Sequence, residues 1–380
     1  MKRFILSTIG TSILTNHIDR RNRIEATSWG QLLRESANLK NDALSAETDT
    51  VIQTLAERAL EALSENDVQT HRRISAELNG IYGLYENVFP KNSDDEHCLI
   101  CTDTAQGQTT GRLISTFLEA EGFKVSLMTP KGLSTQDTDA FTAGTKQLIQ
   151  WLEENVQWRR ESHYRVIFNL VGGFKSLQGY MNTFGAFYAD EVIYIFEAET
   201  ADLIKIPRLP IRIDTTVIEN HLTEFALMAA EKYYPIQELQ GIPETFLECV
   251  SENGTTYAGL SEWGELLWHR TKREFLTATL LPFPRCVYTD TFKNDFDTHK
   301  DATARIKLQE TVAKVAVRLD ESGGDTTQLE GTGLRFKALQ THPGIYTFRV
   351  DRGMRVSCSI DNNKLALRRY GHRNTVNRTP

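Results

Sequence analysis

Val166-Ile167-Phe168-Asn169-Leu170-Val171 runs without a charge into Gly172-Gly173-Phe174-Lys175-Ser176, and this junction decides how the front of the chain folds. An uncharged, largely apolar run of strand length suits a strand buried on both faces, the situation of a parallel sheet covered by helices. Phe174, Leu177, Met181, Phe184 and Tyr188 then recur at helical spacing, so strand, glycine turn and helix follow one another. That turn aims free backbone N–H groups and a helix N-terminus at an anion.

The same form recurs on either side. A strand over 2–8 runs into Gly10-Thr11-Ser12, and a strand over 98–102 into Asp103-Thr104-Ala105-Gln106-Gly107-Gln108, followed by a helix from about 109 to 121. Strands over 125–128 and 191–196 complete an alternation that predicts a mainly parallel, Rossmann-like α/β sheet with helices on both faces. Ligands of such sheets bind at the carboxyl ends of the strands, where all three polar loops lie. There is no G-x-G-x-x-G and no G-x-x-x-x-G-K-[ST], so neither a dinucleotide fold nor a nucleoside-triphosphate P-loop is supported.

Charge separates the two ends. Residues 331–380 carry ten Arg/Lys against two Asp/Glu, whereas residues 1–330 carry 33 against 48, so a +8 tail follows a −15 body within a chain of net charge −7. Taken by segment, the balance points the tail at a polyanion. The tail also has strand pattern, over 344–350, 355–360 and 364–370. With Asp351-Arg352-Gly353 as a three-residue hairpin loop, Val350 meets Met354 and Arg349 faces Arg355. An Asn362-Asn363 turn then pairs Ile360 with Leu365 and Cys358 with Leu367, leaving Arg355, Ser357, Arg368 and Tyr370 on the polar face, with His372 at the same parity. Like charges directly opposite each other cost roughly 0.2–1 kcal/mol, so the Arg349/Arg355 pair makes sense if an anion bridges it. A planar guanidinium donating two parallel hydrogen bonds suits phosphate.

A first strand over 286–288, a helix from about 298 to 319 and then this basic sheet, with Gly344-Ile345-Tyr346-Thr347-Phe348-Arg349-Val350, Gly353-Met354-Arg355-Val356 and a closing Gly371-His372-Arg373-Asn374-Thr375-Val376-Asn377, resemble the RelE superfamily of messenger-RNA interferases. The resemblance covers about a quarter of the chain, 286–380. It implies an α+β toxin-type domain in which the RNA's own 2′-hydroxyl attacks the adjacent phosphate in the ribosomal A site, without a metal. By resemblance Arg355 matches the arginine after the hairpin turn and Arg373 that of the closing motif, with Arg349 near a strand lysine, all three stabilising the phosphate. Since an arginine stays protonated, His372 is the candidate for proton transfer near neutral pH, while Lys337, Arg352 and Arg368 are assigned to RNA binding. His342 is a second, weaker imidazole, and Asn377 stands where many members carry an aromatic Tyr.

The front half, 1–215, with Ile9-Gly10-Thr11-Ser12, Asn169-Leu170-Val171-Gly172-Gly173-Phe174-Lys175-Ser176 and Val192-Ile193-Tyr194-Ile195-Phe196, resembles the CARF domain, the CRISPR-associated Rossmann-like sensor of cyclic oligoadenylates. That resemblance implies a homodimer binding cyclic tetra-adenylate across its twofold axis, the ring acting as an allosteric activator and not as a cofactor. Gly10, Thr11, Ser12, Thr104, Gln106, Gly172, Gly173, Phe174 and Lys175 are the implied ligand-binding residues, Lys175 neutralising phosphate. Slow ring-nuclease cleavage of the activator, by positioning through Thr11, Ser12 and Lys175, is compatible with the same loops.

Together the two halves resemble the CRISPR-associated CARF-RelE mRNA interferases: a cyclic tetra-adenylate-activated, ribosome-dependent endoribonuclease of type III CRISPR antiviral defence, with ribosome and mRNA as partners. Two alternatives stand beside it, a cyclic-oligoadenylate-responsive regulator that grips nucleic acid without cutting, and a ring nuclease with an inactive toxin domain. Residues 216–285 read as a helical middle segment, with helices over 217–233 and 261–278 and a break at Leu280-Leu281-Pro282-Phe283-Pro284. The stretch 25–78 reads as polar helix interrupted at 41–50. The apolar runs are too short to span a membrane, and Lys2-Arg3 precede a segment too short for a signal peptide, so a cytoplasmic location is expected. Cys98 and Cys101 form a C-x-x-C but face opposite sides of a strand, which argues against a metal or redox pair.

Overall fold

Phe4, Ile5 and Leu6 are all fully buried, because the strand that carries them, Arg3–Thr8 (β1), runs through the middle of a six-stranded sheet. The computed structural model describes residues 1–134, 137–195 and 202–380, and the chain divides into two units, Met1–Arg212 and Ile213–Pro380. The other strands of the first unit are Glu96–Ile100 (β2), Lys124–Met128 (β3), Arg165–Asn169 (β4), Glu191–Ile195 (β5) and Leu203–Pro207 (β6). Their order is β3-β2-β1-β4-β5-β6, parallel from β1 to β5, with β6 antiparallel to β5. In this doubly wound order the chain leaves β1 toward one edge and β4 toward the other, which opens a crevice at the carboxyl ends of those two strands. Phe196, read as the end of the fifth strand, lies outside the described residues.

Helices cover both faces of that sheet, as its apolar strands require. On one face Ile5, Leu99, Ile167 and Ile193 share a core with Leu55, Ile81 and Ile114 of the helices Ala46–Ser64, Ala76–Leu84 and Ala105–Ala120. Against β4 and β5 on the other lie the helices Thr138–Glu161 and Lys175–Tyr188. The polar stretch 25–78 is several short helices, the longest beginning where the Ser45 hydroxyl accepts the Thr48 N–H at 3.1 Å.

The second unit holds two sheets. Tyr234–Pro235 (β7), Leu247–Glu252 (β8) and Thr255–Leu260 (β9) form a small antiparallel sheet in the order β7-β9-β8. Cys286–Tyr288 (β10), Lys337–Ala338 (β11), Ile345–Arg349 (β12), Met354–Asp361 (β13) and Lys364–His372 (β14) form the other, in the order β10-β14-β13-β12-β11. Only the β10–β14 pairing is parallel there. The middle stretch 216–285 is therefore mixed and not helical. Its hairpin turns on Asn253-Gly254, with φ of 51° and 80°, the left-handed pair that a two-residue type I′ turn demands.

The helix read over 217–233 is two short ones, Thr216–Asn220 and Leu222–Met228, interrupted at His221 (φ −133°, ψ 33°). That read over 298–319 is Ala302–Glu321, preceded by a separate helix Asp290–Thr298. Its start is fixed by the Asp301 carboxylate, which accepts the Thr303 N–H at 3.0 Å. Leu308, Val312, Val315, Ala316 and Leu319 on this helix pack into one core with Phe225 and Trp268 from the middle stretch and Phe348, Val356 and Leu367 from the large sheet. Residues 216–285 and 286–380 thus share a single hydrophobic core.

Candidate functional site

Two places concentrate polar chemistry, one in each unit. In the first, the loops leaving β1 and β4 meet backbone to backbone: a Cβ on Gly10 would stand 2.9 Å from the Gly173 nitrogen. Gly173 has φ of 100°, and a Cβ there would lie 2.9 Å from Thr8, so both glycines are needed for this close approach. The Thr8 hydroxyl donates to the Gly172 carbonyl at 2.6 Å, and the Gln178 amide donates to the Leu170 and Gly172 carbonyls at 3.1 Å. Asn169, at the end of β4, donates to the Ser7 hydroxyl and to the Glu77 carbonyl, both at 3.1 Å.

Between the loops sits the carboxylate of Glu77, fully buried at the start of the helix Ala76–Leu84. It accepts the Gly10 N–H at 2.7 Å, the Ser75 hydroxyl at 2.8 Å and the Ser12 hydroxyl at 3.3 Å. Gly172 lies against it, since a Cβ there would fall 2.0 Å from Glu77 Oε1. The Gly10 N–H and the Ser12 hydroxyl, expected to face a ligand, therefore point at a carboxylate of the chain itself. Gly10, Gly172 and Gly173 act here as the packing that brings two loops together. Glu77 lies in a polar helical stretch with no motif around it, so nothing in the sequence marks it.

Thr11, Phe174 and Lys175 remain accessible. Lys175 is exposed at the N-terminus of a helix that has no side-chain cap, so its leading N–H groups are unclaimed by such a cap. Phe174 stands edge-on to Phe141, 6.1 Å between centroids, and Phe141 in turn to Tyr180 at 5.3 Å. Thr104 is buried and caps the helix Ala105–Ala120 by accepting the Gly107 N–H at 3.2 Å. The buried Gln106 amide donates to the Leu33 carbonyl at 2.7 Å and to the Ser36 hydroxyl at 3.0 Å. These two residues hold the loop after β2 in place.

In the second unit the hairpin arithmetic is realised: Arg349 pairs with Arg355, Ile360 with Leu365 and Cys358 with Leu367. Asp351 closes the turn, its carboxylate accepting the Gly353 and Met354 N–H groups at 2.7 and 2.9 Å. Burial alone would raise the pKa of Asp351; those two N–H groups, with the charges of Lys307 and Arg349, outweigh it and hold the pKa below the ordinary value.

The register then shifts between Ser357 and Cys358, so that Ser357 meets Arg369 and Val356 meets Tyr370. Arg368 is the extra residue of a bulge, and an extra residue inverts the parity of everything beyond it. Tyr370, expected on the polar face, is instead buried in the core. His372 lies opposite Met354 and not on the Arg355 face. Arg369 and Gly371 take the places expected for Arg368 and Tyr370.

The polar face so formed carries Lys337 and Thr347 in one cross-strand row with Ser357 and Arg369, and Arg349 with Arg355 in the next. Arg369 is neutralised by Asp295, 2.7 Å from its Nε. Arg355 is not: it is 7 % exposed, its Nη1 has no hydrogen-bond partner, and it forms no ion pair among the described residues. Burial, then the charges of Arg373, Arg335 and Arg349, lower its pKa from the ordinary arginine value. The hydroxyls of Thr347 and Ser357, fully buried and opposite each other, also lack partners. Buried donors left unpaired cost about 1–3 kcal/mol each, and an anion seated here would relieve that cost together with the repulsion among four guanidinium groups.

Of the expected residues, the structure thus brings Arg349, Arg355 and Arg373 together, and adds Arg335, which no strand pattern marked because it sits in a loop at φ 51°. His372 is exposed and caps the terminal helix Arg373–Arg378, its Nδ1 accepting the Asn374 N–H at 3.4 Å. The Arg373 N–H donates to the Gly353 carbonyl at 2.8 Å, tying that helix to the hairpin loop. Lys337, Arg352 and Arg368 are exposed at β11, the hairpin tip and the bulge. His342 bonds to the Thr341 hydroxyl in an exposed loop. Among the described residues no group of three or more metal-ligating side chains converges, and no helix is long and apolar enough to cross a membrane.

Residues 72–209, which carry Glu77, the strands β2 to β6 and the Gly172–Lys175 loop, match the family model described as CRISPR-associated protein (Cas_APE2256). On that match, made entirely within the first unit, the chain is indicated to be a CRISPR-associated protein.

Proposed function

We propose that the protein is a cyclic tetra-adenylate-activated endoribonuclease that cuts mRNA in the ribosomal A site, the first unit sensing the activator as a homodimer and the second cutting. The observation that carries the nuclease half is Arg355: a buried guanidinium with no carboxylate, crowded by Arg335, Arg349 and Arg373. Such a group is costly to fold and is suited to a transition state that brings its own negative charge. The match of residues 72–209 to a CRISPR-associated family and the polar loops at the carboxyl edge of the parallel sheet support the sensor half.

In the proposed reaction the ribose 2′-oxygen forms a bond to phosphorus and the bond from phosphorus to the 5′-oxygen breaks. The products are a 2′,3′-cyclic phosphate and a free 5′-hydroxyl. The 2′-proton passes to solvent water and water supplies the proton that the departing 5′-oxygen takes up, so the proton count is unchanged. Arg349, Arg355 and Arg373 hold the extra charge on the equatorial phosphate oxygens, while His372, which the bulge moves off the Arg355 face, is left out of the proton transfer. Lys337, Arg352 and Arg368 steer the flanking RNA phosphates.

Toeprinting of an mRNA on programmed ribosomes tests this reading, run with and without cyclic tetra-adenylate beside the same RNA free of ribosomes. Cuts confined to the A site and to reactions holding both activator and ribosomes are expected. Arg355→Ala should lower their rate by roughly 10²–10³-fold. No cuts under any condition would overturn the nuclease reading in favour of a regulator that only grips nucleic acid.

A further inference from the structure

Beside the crevice, on the β2 side of β1, lies a cleft of about 450 Å³, within the roughly 300–1,000 Å³ of small-molecule sites. Thr11 and Gln106, each just past the carboxyl end of a parallel strand, form its floor with Thr15, and the stretch from Ile18 to Ala37 forms its wall. That wall carries Arg20 and Arg34, and no acidic residue lines the cleft. Both arginines are exposed, and neither has an ion-pair partner among the described residues. Arg58, by contrast, is bound to the carboxylate of Glu25, while Arg21 and Arg23 are likewise without an ion pair among the described residues but lie outside the cleft. Arg34 lies back over Gly30, its Nη1 3.5 Å from where a Cβ of that glycine would be. The Thr15 hydroxyl donates to the Thr11 and Ser12 carbonyls, and the Thr11 hydroxyl has no hydrogen-bond partner among the described residues.

We infer that Arg20 and Arg34 form a phosphate-recognition site on this side of β1, taking a phosphate or phosphodiester group between them and the Thr11 hydroxyl; its assignment to an oligoadenylate rests on the function proposed above. Charge decides the side. The carboxylate of Glu77 faces the other flank of the Gly10–Ser12 loop and already holds its N–H and hydroxyl donors, so an anion there meets a like charge. On the cleft side it meets two free guanidinium groups, each able to donate two parallel hydrogen bonds to phosphate oxygens. The arginines lie outside every glycine loop, in a stretch whose sequence carries no strand or turn signal, and only the fold brings them to Thr11.

Titration calorimetry of the full chain with two probes, inorganic pyrophosphate and cyclic tetra-adenylate, tests the site. Arg20→Ala/Arg34→Ala should weaken whichever probe binds by roughly tenfold or more per arginine. Arg20→Lys/Arg34→Lys should recover part of the loss, because charge survives without the fork. The charge-matched control Arg21→Ala/Arg23→Ala, in exposed residues outside the cleft, should leave binding within about twofold. Pyrophosphate binding that needs Arg20 and Arg34 while cyclic tetra-adenylate fails to bind would uphold the site and sink the sensor reading. Cyclic tetra-adenylate binding that is unchanged in the double alanine variant, or changed as much in the control, would overturn the site and leave that reading intact. No binding of either probe would overturn both.

Discussion

Arg349 and Arg355 lie directly opposite each other across the β12–β13 ladder, and neither is ion-paired with a carboxylate among the described residues. Folding the chain thus places two like charges side by side and buries one of them. Arg355→Met, which keeps the bulk and removes the charge, is expected to leave stability unchanged or raise it by about 1–3 kcal/mol, while abolishing cleavage. Urea unfolding in rising inorganic phosphate checks this: the parent should gain stability with phosphate and the variant should not. A variant less stable than its parent in the absence of phosphate would show that the guanidinium has a partner after all.

The two glycines Gly173, in the loop after β4, and Gly179, six positions on and inside the helix Lys175–Tyr188, should respond with opposite sign to alanine. At Gly173, φ is 100° and the new Cβ would press on Thr8 at 2.9 Å, so Gly173→Ala should cost of order 1–3 kcal/mol. At Gly179, inside a helix, nothing stands within 4 Å, and Gly179→Ala should gain about 0.5–1 kcal/mol. Denaturant midpoints of the two variants against the parent decide the matter.

His97 sets an acid limit on the first unit. It is fully buried next to Tyr85 and Asp95, and burial, offset in part by Asp95, pulls its pKa down to about 3. Below pH 6.5 the unfolded chain carries a proton on this imidazole that the folded chain does not. Its contribution is therefore full above that pH and falls as pH drops toward 3, with a slope of about 1.4 kcal/mol per pH unit. His97→Phe should flatten the acid limb of a stability–pH curve measured by urea melts between pH 4 and 7. An unchanged limb would place the lost stability elsewhere, in the carboxylates.

The thiols divide by burial. All five cysteines are free. Burial pushes Cys98, Cys101 and Cys286 up to about 12 and raises Cys358 further, whereas Cys249 is exposed on β8. A thiol reagent at neutral pH should modify one group per chain quickly, and Cys249→Ser should abolish that phase. Cys98, Cys101 and Cys358, which are buried, should react only on unfolding, and the half-buried Cys286 more slowly than Cys249.

Much of this was legible in the residues, and the failures have physical reasons. Turn chemistry carried the hairpins: a three-residue loop after Val350 and Asn362-Asn363, both at positive φ, suffice to set the Arg349/Arg355 and Cys358/Leu367 pairs. The same rule marks Asn253-Gly254 as the turn between β8 and β9, but β8 is mostly exposed and β9 is buried only toward its end, so the flanking strands give little alternation of their own. The bulge at Arg368 was beyond reach, because no local preference separates one more strand residue from a residue out of register. Arg20, Arg34, Arg335 and Glu77 share another difficulty. Each takes its meaning from neighbours far away in sequence, and a lone charged residue in a polar stretch looks the same whether or not the fold turns it toward a loop glycine or another arginine.

The Glu77 carboxylate has a mechanical consequence. One side chain, carried on the helix Ala76–Leu84, is bonded to the Gly10–Ser12 loop and wedged against Gly172, with the Asn169 amide fastened to the backbone of the same residue. The two loops are strapped to a common post. A ligand that drags either one outward must break a bond to that buried carboxylate or pull the helix along with it, so a displacement of less than an ångström at the crevice is handed to a rigid rod about 14 Å long, at 1.5 Å for each of its nine residues.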